Sequence, residues 1–174
     1  MKKYLPFIVL FVGLVSLVGV ILIVKSRSSA PETVVQEETT VAEIPDNQKP
    51  YASLTPTKDG HWLKLNVEGL DRMVVAKSLD YELLYKVSDG RTQGVPGTVT
   101  LKGDKSITRD LLLGSESSGK FRYDVGVDKG TLTLRLRDDK GKLLGKLSTD
   151  FTLSNASGVY LVTMDHFGTP VTSQ

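Results

Sequence analysis

The sequence contains no cysteine. That absence excludes a disulfide framework, a thiolate metal site, a cysteine nucleophile and a cysteine-linked lipid anchor. Histidine occurs only twice, which leaves little material for imidazole-based metal binding or acid–base catalysis. An excess of one charge is missing too. With 22 Lys and Arg against 20 Asp and Glu, a net charge of +2 does not mark a nucleic-acid binder. No GxGxxG, GxxxxGKS or GxxxxGKT string is present to cradle a phosphate, and no GxSxG string to raise a nucleophilic serine. The 174 residues suffice for one domain with one core.

What is present begins with a hydrophobic run. Residues 5–24 carry no charge. As a helix they extend roughly 30 Å, the hydrocarbon thickness of a bilayer. The competing reading is a cleaved secretory signal, for which Lys2 and Lys3 supply the basic start and Ser28-Ser29-Ala30 a small-residue cleavage site. The length of the run and the rigid ring of Pro31 favour an uncleaved anchor spanning 5–24 within residues 1–25. Lys2, Lys3 and the amino terminus set against Lys25 and Arg27 place the N-terminus in the cytoplasm and the remainder outside the cell membrane.

Residues 26–50 contain Glu32, Glu37, Glu38, Glu43 and Asp46 and no aromatic residue. Such a stretch buries too little to offset its ordering entropy and reads as a disordered, flexible acidic linker. A domain over 51–168 and a short tail over 169–174 follow. In the domain the period changes to strict alternation. Leu63, Leu65 and Val67 alternate with Lys64 and Asn66, and Tyr81, Leu83, Tyr85 and Val87 with Glu82 and Lys86. Phe121, Tyr123, Val125 and Val127 are read as one face of a half-buried strand, and Leu132, Leu134 and Leu136 as another. Short strands are expected at 99–101 and 111–113, a loop at 114–119, a hairpin across 138–141 with a bulge near Gly145, and a last strand at 159–164.

Seven to nine strands without an amphipathic helix predict an all-β domain. The pattern resembles immunoglobulin-like β-sandwiches as an architecture, over roughly 51–168. The resemblance implies two packed sheets, with Trp62 as a large core residue, and it implies no functional residues.

Candidate sites are few. His61 and His166, with Asp59 and Asp165, form no metal spacing. Asp138, Asp139, Asp124 and Asp128 supply turn oxygens but no calcium-loop pattern. No catalytic, cofactor or metal residue is therefore assigned, and Asn155-Ala156-Ser157 is an incidental sequon. Lys120, Arg122, Arg135, Arg137, Lys140, Lys142 and Lys146 make a basic stripe for an anionic partner if the strands carrying Arg122 and Arg135 are neighbours. The expectation for function is a non-enzymatic binding or scaffold module of the cell envelope. It would be integral to the membrane by one span, with a protein or cell-surface polymer as partner and no nucleic acid. The alternative is an accessory subunit that contacts a membrane complex through the helix, and an enzyme comes third.

Overall fold

The computed structural model describes residues 43–73 and 75–170. The anchor at 5–24 and the linker up to residue 42 lie outside the described residues. Among the described residues no helix is long and apolar enough to cross a membrane.

Ten strands follow one another: β1 (Tyr51–Pro56), β2 (Trp62–Glu68), β3 (Ser78–Lys86), β4 (Thr92–Thr100), β5 (Ser106–Leu112), β6 (Gly114–Ser117), β7 (Lys120–Tyr123), β8 (Lys129–Arg137), β9 (Leu143–Ala156) and β10 (Val159–Met164). Among the described residues the only helical turns are two 3-10 turns, Asp46–Gln48 before β1 and Leu70–Arg72 between β2 and β3. One sheet has the order β1-β2-β5, a second β10-β9-β8-β3-β4, and β6 and β7 pair with each other. All pairings are antiparallel.

Alternation places the core. Leu63, Leu65 and Val67 of β2 are fully buried, as are Leu79 and Leu83 of β3 and Leu132 and Leu134 of β8. Side chains from the three-stranded and five-stranded sheets join in one apolar cluster. Opposite β8, Leu136 pairs with Gly145 and Arg137 with Leu143, so Leu144 is the extra residue of the bulge the alternation called for.

Several local features depart from the sequence reading, among them the loop expected at 114–119, where Gly114–Ser117 forms β6 and pairs with β7. β4 runs over nine residues where only 99–101 was expected, because Gly94, Pro96 and Gly97 mask it. As an edge strand it tolerates proline, and the Tyr81 ring fills the space that a side chain at Gly97 would take. Trp62 is half-buried rather than central, since the inward positions of β2 belong to its three aliphatic neighbours. The segment 43–50, read as linker, is packed: Ile44 is 4 % exposed and occupies the space left by Gly145. Lys49 Nζ binds Asp46 Oδ1 at 2.7 Å and Glu43 Oε1 at 3.3 Å, and the lysine holds the Asp46 carboxyl below its ordinary range.

The fold has two poles. The rungs Ser78–Arg137 and Tyr85–Gly130 of β3 and β8 lie seven residues apart, which is roughly 23 Å. Near the first rung, Ile44 sits on Gly145, and Arg72 Nη1 donates to Lys49 O at 3.4 Å and Thr169 O at 3.3 Å. The chain therefore enters and leaves at this pole. The second pole carries the turns 57–61 and 87–91 and the β6–β7 hairpin, joined by Leu113 N–H to His61 O and Ser88 N–H to Val125 O, both at 2.9 Å.

Candidate functional site: an aromatic cluster on a projecting hairpin

The hairpin closes through Ser118 and Gly119, both at positive φ (51° and 75°). That is the two-residue turn whose twist suits a hairpin, and glycine enters it without steric penalty. Every residue of β7 is exposed, so the hairpin projects rather than covering the core. The half-buried strand expected from Phe121, Tyr123, Val125 and Val127 is not what forms: β7 ends at Tyr123, the first three are 45 %, 39 % and 73 % exposed, and Val127 alone packs against the core.

The rings of Phe121 and Tyr123 meet Trp62, the first residue of β2, and His61 just before it. Phe121 presents an edge contact to Trp62, with centroids 5.7 Å apart and planes at 68°. Tyr123 stacks on His61 at 3.9 Å and 7°. Phe121 and Tyr123 are parallel within 5°, their centroids 6.2 Å apart. Each such pair contributes about 0.5–1.5 kcal/mol beyond area burial, so the rings are held in place while their outer surfaces stay in water.

The base of the cluster is fixed by polar contacts. Thr57 Oγ1 donates to Asp59 Oδ1 at 2.5 Å, and the same oxygen accepts the His61 N–H at 3.2 Å. The Thr57 hydroxyl, then the His61 amide, hold the Asp59 carboxyl below its ordinary range. Tyr85, 2 % exposed, donates its hydroxyl to Asp124 Oδ2 at 2.9 Å directly after β7. Burial, reinforced by the hydrogen bond to Asp124, pushes the Tyr85 phenol well above its ordinary range.

The seven basic residues of the sequence-predicted stripe divide between the poles. Lys120 and Arg122 stand on β7, which pairs only with β6. Arg135 and Arg137 lie on the outer face of the five-stranded sheet, and Lys146 is the register partner of Arg135 on β9. Arg135 Nη1 and Nη2 both reach Glu82 Oε2 at 3.2 Å, and Arg137 Nε reaches Asp80 Oδ2 at 2.6 Å. Lys140 and Lys142 flank a turn in which Asp138 Oδ1 accepts both their backbone N–H groups, at 2.9 and 2.8 Å. The structure thus brings Arg135, Arg137, Lys140, Lys142 and Lys146 to one region and places Lys120 and Arg122 at the other pole.

The two histidines are likewise apart. His166 packs on Tyr51 with centroids 4.7 Å apart, and its Nδ1 donates to Ala52 O at 2.9 Å. Among the described residues no three His, Asp or Glu side chains gather as metal ligands.

Sequence reasoning missed the aromatic cluster. Alternation along 121–127 signals a half-buried strand, whereas the strand ends at Tyr123 with both faces exposed, and alternation does not show that Phe121 and Tyr123 meet only two rings. Comparison with known proteins yields no match: no family model, no curated protein and no solved structure aligns significantly with the chain.

Proposed function

We infer that this chain is a membrane-anchored, extracytoplasmic, non-catalytic binding module that grips a protein partner through its aromatic pole. The observation that carries the reading is the cluster of His61, Trp62, Phe121 and Tyr123, rigid on one side and open on the other. Exposed aromatic side chains held in a fixed arrangement are the residue types that dominate protein interfaces, and Arg122 stands on the same short strand. The cluster lies at the pole opposite the one where Ile44 packs.

The anchor in this reading is the helix 5–24 with a cytoplasmic N-terminus, supported by its uncharged length and flanking lysines. The domain is read as an immunoglobulin-like sandwich. The orders β1-β2-β5 and β3-β8-β9 match strands A-B-E and C-F-G of that architecture, with β6–β7 inserted between E and F.

A photo-crosslinking residue at position 121 in the full-length chain is expected to capture a protein in the native membrane, whereas the same residue at Thr152 does not. Tyr123→Ala should weaken that capture about tenfold or more. Capture that survives this change and disappears when helix 5–24 is exchanged for an unrelated span would transfer the contact to the membrane helix. Protease added to intact cells or spheroplasts should remove the domain, and a domain protected until lysis would refute the orientation.

A further inference from the structure

We propose that the outer face of the five-stranded sheet carries a second site, which binds a small, free organic anion with an apolar body. The face has two halves. Near the entering chain it is covered by the ion pairs Asp80–Arg137 and Glu82–Arg135. Toward the aromatic pole the outward positions include the short Thr131 and Thr152 beside Leu84, and the partner of Leu84 on β4 is Gly94, which has no side chain. Short side chains between long ones leave a groove of about 510 Å³ along Leu84, Lys86, Thr92, Lys129, Thr131 and Asp150. That volume falls within the roughly 300–1,000 Å³ of small-molecule sites.

Leu84 supplies an apolar floor, 38 % exposed, with Lys86, Thr92, Lys129, Thr131 and Asp150 around it. The rim specifies the sign of the ligand. Beyond the last β3–β8 rung, Tyr85–Gly130, the two strands end in Lys86 and Lys129, both exposed, both on the outer face and both lining the groove. Two like charges brought to one groove repel. Among the described residues neither ammonium has a side-chain partner, and the one carboxylate of the groove, Asp150, accepts the Thr131 hydroxyl at 2.7 Å. A sulfonate, carboxylate or phosphate between the two lysines relieves their repulsion through charge-assisted hydrogen bonds while its apolar body covers Leu84. The site is independent of the protein contact assigned to the aromatic pole.

The test is calorimetric titration of the full-length chain, held in zwitterionic lipid nanodiscs, with naphthalene-2-sulfonate. Saturable binding is expected, weakened about tenfold or more by Lys86→Gln with Lys129→Gln and unchanged by Phe121→Ala. Both variants should keep the circular dichroism spectrum of the parent, because all three positions are exposed. Equal affinity in parent and double variant, or absence of saturable heat, overturns the proposal. Loss of probe binding in nanodiscs rich in phosphatidylglycerol, retained in zwitterionic ones, would assign the lysines to lipid headgroups and overturn the free anion.

Discussion

Gly145 and Ile44 show how one missing side chain fixes a segment far from it in sequence. A Cβ at Gly145 would meet Ile44 Cγ1 and Cδ1, so the glycine is the seat of the isoleucine. Gly145→Val should expel Ile44 and lower stability by about 2 kcal/mol, read from the urea midpoint at constant slope. Ile44→Ala added to that variant should have little further effect, since both changes remove the same contact, and full additivity would disprove the coupling. Tyr85 gives a second residue-scale expectation. Up to about pH 10 its phenol is protonated in both states; above that the unfolded chain releases the proton first. The unfolded state then binds fewer protons, and stability falls as pH rises. Tyr85→Phe loses about 1 kcal/mol at neutral pH with its hydrogen bond to Asp124. It should also show a shallower decline between about pH 10 and 11.5; parallel declines would refute this.

Among the elements, β8 tests how far alternation reaches. Leu134 is fully buried, and Leu134→Asp should prevent folding because an unpaired carboxylate would enter the core. Thr152→Asp, exposed and in register with Lys129, should leave the urea midpoint within about 0.5 kcal/mol of the parent. The inward leucines of β2 and β8 and the bulge near Gly145 were legible in sequence, because period two and its interruption are local properties. Depth on the outer face was not. Thr133 occupies an outward position by alternation yet is 7 % exposed, covered where it lies between Glu82 and Ser148. That depends on which strands became neighbours. The aromatic cluster escaped for the same reason: Phe121 and Tyr123 were visible, but Trp62 and His61 are joined to them only by the path of the chain. The basic stripe was legible in part, since Arg135, Arg137 and Lys146 do share adjoining strands, while Lys120 and Arg122 went with the hairpin.

At the scale of the whole molecule, the folded unit begins before the first strand. A chain starting at Thr40 should be more stable than one starting at Pro50 by roughly 2–3 kcal/mol, the burial of one isoleucine. Equal thermal and urea midpoints would show that segment 43–50 contributes nothing to the fold. The contacts that hold this segment also join the two ends of the domain: Arg72 donates to both Lys49 O and Thr169 O, and Gly168 lies against Lys49 O. A module whose ends leave side by side is a closed excursion of the backbone. It can be spliced as a guest into a loop of an unrelated host without prying that loop apart, and its ends can be joined and new ones opened at an exposed turn such as 138–141.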